Sequence, residues 1–417
     1  MLLVAGMLPR SAGAIDQLKA EEEISDLLAD QVRAEKAEES KDEESAATRR
    51  WAIIPQVGYG PETGALGGLK YTHRNIFDSG VTFDVDGAYA VNGQTGAGVV
   101  IGVPRLKAGN LLLLLQADYG LDPQRDFFGL GNNDLGPEPI STNEFQDIAG
   151  ELTAGWRPFE SLSLNVSVGL RQVEIRNGRR LSECQNVMQP GTMIQPCPFT
   201  PELFPDLVGI NGGVVNPIGV SIVWNNRDDL VRPTRGWRLL FKFMHATSLG
   251  DFSFERYIAD ASYLRTFFDQ RVVAGVRLNG EYVAGASGDV PYWELSELGG
   301  RNTLRGFFPY RFLGRSRLLI NTEIRGQVVA FDFFDIWHIQ IDGVVFADAG
   351  RVFLNDDDLD SQFHVDEDIV GRVFSDLRYD YGFGVRFAIA QAMVARIDVG
   401  FSEEETGLLY LSFGHTF

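Results

Sequence analysis

From Trp51 onward, apolar and polar positions alternate with period two in run after run. Arg271 to Tyr282 sets Val272, Ala274, Val276, Leu278 and Tyr282 against Arg271, Arg277, Asn279 and Glu281, and Arg317 to Val328 sets Leu318, Ile320 and Ile324 against Asn321, Glu323, Arg325 and Gln327. Leu377, Tyr379, Tyr381, Phe383, Val385 and Phe387 share one side of a run whose other side carries Arg378, Asp380 and Arg386; next, Ala395, Ile397, Val399 and Phe401 oppose Arg396 and Asp398. Period two is the signature of a strand with one face in an apolar medium and one in a polar medium. Sixteen strands are predicted: 51–60, 65–75, 81–93, 96–106, 109–120, 145–158, 162–176, 213–227, 235–247, 253–268, 271–285, 317–331, 339–353, 376–389, 393–402 and 407–417.

The connections have a parity. Those after odd strands include the long ones, 121–144, 177–212, 286–316 and 354–375. Those after even strands are short, around Leu106-Lys107-Ala108, Pro158-Phe159-Glu160, Phe268-Asp269-Gln270 and Ile389-Ala390-Gln391. Outer-membrane barrels have an even number of strands, long loops outside and short periplasmic turns. In such a sheet closed in lipid, the apolar sides face out and the charged sides face in. The fold class expected is therefore all-β, a 16-stranded antiparallel transmembrane β-barrel with a short N-terminal helical segment. A soluble β-sandwich also alternates, but the even count, the parity and the terminal Phe417 weigh against it.

Composition agrees. Mean hydropathy is −0.07 with 46 Gly and 29 Phe in 417 residues, near neutral as alternating lipid and lumen faces require. No run of 18 apolar residues exists, which excludes a helical membrane protein. A formal net charge of −20 argues against nucleic acid as a partner. Residues 1–14 read as the remnant of a signal peptide, an apolar run Leu2 to Leu8 ending at Ala12-Gly13-Ala14. Residues 15–50 form an acidic segment: Asp16 to Arg50 holds twelve acidic and six basic residues, Ile24, Leu28 and Val32 recur at helical spacing, and Lys41 to Arg50 reads as linker. The barrel domain is 51–417.

One connection stands apart. Leu298 to Arg311 is punctuated by Gly299-Gly300, Gly306 and Pro309, and its centre is Leu304-Arg305-Gly306-Phe307-Phe308. This LRGF loop, the sixth outer loop, resembles that of the outer-membrane assembly barrels of the BamA/TamA type, the bacterial surface antigen family. Trp224 to Trp237, WNNRDDLVRPTRGW, resembles the family's DxRD…PTRG turn through Arg227, Asp228, Pro233 and Gly236, with Asn225 in place of the first Asp. Phe346 to Gly350, FADAG, resembles its FxDxG strand, and Leu411 to Phe417, LSFGHTF, its last strand. The matches run in family order over residues 51 to 417, and their joint occurrence is far more specific than any one motif. The family's periplasmic POTRA domains are mixed α/β and longer than residues 15–50, so the resemblance is to a member lacking them.

The resemblance implies a structural lock. A loop of about thirty residues must fold somewhere, and Leu304, Phe307 and Phe308 draw it into the lumen. An arginine carried inward needs a carboxylate. Glu323 and Asp348, on inward faces of neighbouring strands, are the expected partners of Arg305; Gly306, Phe307 and Gly350 complete the motif positions. A weak seam between first and last strands is expected from Pro55, which has no N–H to give, from Gly58 and Gly414, and from a strand ending in Phe417, which also resembles the recognition signal of exported barrels.

Other candidates are structural or weak. Cys184 and Cys197 sit in the fourth outer loop and are expected to form a disulfide, since an exported loop is oxidised. Asp356, Asp358, Asp360 and Glu367 have an EF-hand-like spacing, but Ser361 stands where such a loop needs Gly; a solvated acidic loop is the simpler reading than a calcium site. The histidines, His73, His245, His338, His364 and His415, form no pattern with a nucleophile, so no catalytic residue and no cofactor is expected. The reading is a monomeric, integral bacterial outer-membrane barrel whose partners are the lipid bilayer and client outer-membrane or secreted polypeptides. It would insert or translocate proteins or act otherwise in outer-membrane biogenesis. A passive channel or surface protein on the same barrel is the alternative, and an outer-membrane enzyme a third.

Overall fold

A computed structural model describes residues 51–417 apart from 77–78, 107–110, 134–135, 180–182, 187–190, 230–231, 269–270, 334–336, 355–375, 390–392 and 415–417. The residues read as signal remnant (1–14) and acidic segment (15–50), the Asp356, Asp358, Asp360 and Glu367 cluster and Phe417 therefore lie outside the described residues.

Sixteen strands close into one antiparallel barrel in sequence order. They are β1 (Trp51–Gly60), β2 (Gly64–Ile76), β3 (Val81–Ala90), β4 (Thr95–Leu106), β5 (Leu111–Phe127), β6 (Ser141–Phe159), β7 (Leu162–Arg176) and β8 (Gly212–Asn225). The second half comprises β9 (Gly236–Thr247), β10 (Glu255–Phe267), β11 (Val272–Ala284), β12 (Ser316–Phe333), β13 (Trp337–Phe353), β14 (Arg378–Ile389), β15 (Met393–Phe401) and β16 (Leu408–Phe413). Alternation sets the faces. Val166, Val168 and Leu170 on β7, Ile218, Val220, Ile222 and Trp224 on β8, and Tyr379, Tyr381 and Phe383 on β14 point outward to lipid. Their polar alternates, such as Asn165, Ser221, Asp380 and Arg386, are buried on the inside.

Several boundaries differ from the sequence expectation. β5 runs to Phe127 and β6 begins at Ser141, so the expected loop 121–144 shortens. Asp122-Pro123-Gln124, expected at the start of that loop, forms a bulge within the strand. The register shifts between Asp122 and Arg125, the Gln124 N–H donates to Asp122 Oδ1 at 3.0 Å, and Pro123 sits where no ladder donor is needed. β8 stops at Asn225 rather than 227, where side chains take over the backbone bonds. β16 ends at Phe413 rather than 417; Gly414 follows in a left-handed bend, φ +84°, with its N–H on Val394 O.

The outer mouth is filled. Leu130, Ile140, Phe204, Ile210, Phe254, Val290, Tyr292, Trp293 and Leu313 come from the outer connections. They pack with the upper ends of strands, Phe127, Phe145, Val173, Val215, Met244 and Val283, into one buried apolar cluster. Phe127 meets Phe204 and Tyr292 edge-on at 5.5 and 5.6 Å. Such a cap has the construction of a soluble core. The Cys184–Cys197 disulfide, Cα–Cα 4.9 Å with both residues fully buried, ties it on one side.

Candidate functional site

Below the cap, residues 285–315 descend into the lumen and return. A second apolar cluster, Leu298, Leu304, Phe307, Phe312, Leu319 and Val352, seats the loop against β12 and β13. Thr303 closes its turn, accepting from the Gly299 N–H at 2.9 Å and donating to Gly299 O at 2.7 Å. Gly299 and Gly300 take φ +116° and +88°, which side chains resist. Phe307 packs edge-on against Phe312, and Phe308 stacks on Phe128 of the cap.

Arg305 is fully buried. Its Nε and Nη2 donate to Asp348 Oδ2 and Oδ1 at 2.7 and 2.9 Å, and its Nη1 donates to Glu323 Oε2 at 3.1 Å. The guanidinium lies 3.4 Å over the ring of Phe346. A bidentate guanidinium–carboxylate pair fixes both position and plane. Asn321 Nδ2 holds Asp348 Oδ1 and the loop carbonyl of Thr303, at 2.9 and 2.7 Å. Two glycines make the approach possible. A Cβ on Gly306 would lie 2.6 Å from Asp380 Cβ, and one on Gly350 would meet Leu298 Cδ1 at 3.0 Å.

The network reaches further than the sequence expectation. Arg305 Nη1 also lies 3.7 Å from Asp398 Oδ2 on β15. Arg386 on β14 donates to Asp398 Oδ1 at 2.6 Å and to Glu323 Oε2 at 3.0 Å. Arg396 donates to Arg301 O of the loop at 3.0 Å and to Ser412 Oγ of β16 at 3.0 Å. Ser402 Oγ donates to Gly306 O at 2.7 Å, and Tyr410 OH on β16 donates to Phe307 O at 3.2 Å. The loop thus grips five consecutive strands, β12 to β16. Asp380, Arg386, Arg396, Asp398 and Tyr410 were not among the expected site residues. A signal for them exists in the register. Asp348 stands opposite Asp380, and Arg386 opposite Arg396. Like charges face to face in a sheet require a counter-charge from elsewhere, and the loop brings Arg305 to the carboxylates.

The seam is short. Tyr59 with Leu411 is the pairing of β1 with β16 among the described residues, whereas β15 and β16 pair from Ala395–Phe413 to Gly400–Leu408. Pro55 pairs with Leu69 on the β2 side and turns its N–H-less edge to the seam. Gly58 lies against the seam, 3.2 Å from its Cβ direction to Leu411 O.

The DxRD…PTRG-like turn, 226–235, lies at the opposite, periplasmic end. Arg227 donates from N and Nε to Asn225 Oδ1 at 3.2 and 3.1 Å, so Asn225 serves as acceptor in place of the family's Asp. Asp228 accepts from Thr234 N, Thr234 Oγ1 and Arg235 N at 2.9, 2.5 and 3.1 Å. Partial burial works against its charge, but these hydrogen bonds prevail and hold the carboxyl below the usual range. Pro233 is buried, and Gly236 takes φ +114° to start β9. Among the described residues, no group of three or more His, Cys, Asp or Glu is placed to hold a metal ion.

A model of the Omp85 superfamily domain matches residues 56–417. Among solved structures, BamA from Haemophilus ducreyi lacking POTRA domains 1–3 is similar at 14% identity and a TM-score of 0.62, over 88% of this chain and 70% of that one. CdiB from Escherichia coli is similar at 12% identity and TM-score 0.55, and CdiB from Acinetobacter baumannii at 13% and 0.50. They are covered over 64% and 59% of their length, by 89% and 87% of this chain. At such identities the likeness is one of fold. No curated protein matches the chain.

Proposed function

Because the chain belongs to the Omp85 superfamily, as an integral barrel of the bacterial outer membrane, we propose that it inserts or translocates polypeptide through a seam that opens between β1 and β16. The observation that carries this reading is the contrast at the seam. Among the described residues one register pair joins β1 to β16, while the loop lock grips the wall from β12 to β16. Each unpaired backbone group facing lipid costs on the order of a few kcal/mol, so a thinly bonded seam is where the wall yields or accepts another strand. A strand edge is a template for pairing with another chain, and an extended client supplies the missing partners. The packed cap over the outer mouth supports assembly over a passive channel, which needs an open lumen. The chemistry is non-covalent, and the protein is read as machinery rather than as an enzyme.

Tyr59→Cys with Leu411→Cys tests the reading. Directly opposed residues of an antiparallel pair lie within reach of a disulfide. The oxidised variant should reach the membrane folded and fail to restore normal levels of other barrels, or of its secreted client, in depleted cells; reduction should restore them. Full activity of the cross-linked protein, with cross-linking verified, would refute an opening seam.

A further inference from the structure

Halfway round the ring from the seam, the periplasmic ends of β8, β9 and β10 carry a recess of about 500 Å³. Asn226, Asp228, Arg235, Trp237, Tyr263 and Arg265 line it. Trp237 and Tyr263 lie on the outward face, their ring centroids 4.2 Å apart. Arg265 shares that face with Tyr263 and Phe267, because the residue between them, Leu264, is buried inward. It makes no ion pair among the described residues, and its guanidinium lies 5.5 Å over the exposed ring of Phe267. Arg235 is largely exposed, and its nearest carboxylate, Asp228 at 3.9 Å, is already engaged by Thr234 and by the Arg235 backbone.

An arginine without a counter-ion on the lipid-facing wall of a barrel is costly unless the surroundings supply an anion. At the periplasmic rim of an outer-membrane barrel, the neighbouring anions are phosphodiesters of the inner leaflet. We propose that this recess binds one anionic phospholipid of the phosphatidylglycerol class. Its phosphate bridges Arg235 and Arg265, and its glycerol and upper acyl chains lie on the Trp237–Tyr263 pair. Guanidinium matches phosphate in geometry, and paired aromatic rings with one wet edge belong at the interface. The ligand would pin the wall opposite the seam to a fixed depth. This inference stands apart from the proposed insertion or translocation activity.

Native mass spectrometry of the purified full chain, in detergent with equimolar phosphatidylglycerol and phosphatidylcholine, tests it. The wild type should retain one phosphatidylglycerol in preference to phosphatidylcholine, and excess inorganic phosphate should not displace it. An arginine beside an anionic headgroup is worth about fivefold, so Arg235→Gln with Arg265→Gln should lower the preference about 25-fold. Arg157→Gln, which removes a rim guanidinium bonded to the Glu160 carbonyl, should keep it. Arg265→Gln alone should lose about fivefold, which keeps the test open if the double variant folds poorly. Equal retention of the two lipids by the wild type, an equal loss in Arg157→Gln, or displacement by free phosphate would each overturn the assignment.

Discussion

Replacing Arg305 by Ala removes three charged hydrogen bonds and leaves three buried carboxylates to be satisfied by what remains. The remaining partners are unequal. Glu323 keeps Arg386 at 3.0 Å and Arg325 at 3.4 Å, and Asp398 keeps Arg386 and Arg396 at 2.6 and 3.3 Å. Asp348 keeps the Asn321 amide and faces Asp380 across the ladder. The penalty therefore concentrates on Asp348. Breaking a buried pair by removing one partner costs about 3–5 kcal/mol; with two of the three carboxylates still paired, the lower part of that range, about 3–4 kcal/mol, is expected here. Neutralising the stranded group should recover some of it, so Arg305→Ala with Asp348→Asn should be more stable than Arg305→Ala alone by about 1–2 kcal/mol. Urea titrations in micelles, followed by tryptophan fluorescence and by heat-modified mobility on gels, read the four species of the cycle. Additivity of the two single variants within about 0.5 kcal/mol would refute a coupled lock.

Other predictions follow from the same geometry. Gly306→Val should release the loop from β14 and β15, because its Cβ would overlap Asp380 Cβ and the Phe401 carbonyl; accelerated proteolysis within 285–315 reads this, and wild-type protection would count against the packing described. The Asp228 carboxyl is depressed in the folded state, so its contribution is present above the ordinary value of 3.8 and is lost as pH falls through the lowered one. The difference in urea midpoint between wild type and Asp228→Asn should hold at neutral pH and shrink as the pH is taken below the ordinary carboxylate value, and a difference that stays unchanged in acid would remove the assigned hydrogen bonds. Reducing Cys184–Cys197 should destabilise the cap by about 3 kcal/mol, seen as protease cleavage within 177–211 while the barrel stays folded; an unchanged cleavage rate would mean the apolar cluster alone holds the cap.

The barrel was legible because closure in lipid leaves few choices. β1 and β7 begin and end where alternation places them, since one slipped residue would turn every Val, Ile and Phe of a strand into the lumen. Loop structure was less legible, as loops carry no period. The extension of β5 past Asp122 depends on a bulge, and a bulge looks like a turn in sequence. At the site, Arg305, Glu323 and Asp348 could be joined because β12 and β13 are adjacent and both carboxylates sit on inward faces. Asp398, Arg386 and Tyr410 could not, because their meeting with the loop depends on how far it leans across the lumen. Local pattern does not encode that lean; the facing like charges Asp348–Asp380 and Arg386–Arg396 are its trace.

The lean gives the seam two unlike edges. β16 is tied from inside: Tyr410 to the Phe307 carbonyl, Ser412 to Arg396, and Arg396 on to the loop at Arg301. Among the described residues β1 has no comparable tie. Its inward row is Ala52, Ile54, Gln56, Gly58 and Gly60, and among the described residues neither side-chain polar atom of Gln56 has a hydrogen-bond partner though the residue is 2% exposed. Outward, Pro55 interrupts the donors that a partner could use. An edge braced by ion pairs in a low-dielectric interior resists displacement, and an edge held, among the described residues, by one register pair and by its β2 ladder does not. If the wall parts at the seam, β1 with β2 is the side that swings, and β16 keeps its place as the fixed template. The lock then acts on function indirectly: by holding β12 to β16 rigid, it confines the yielding of the wall to the strand that the chain leaves unbraced.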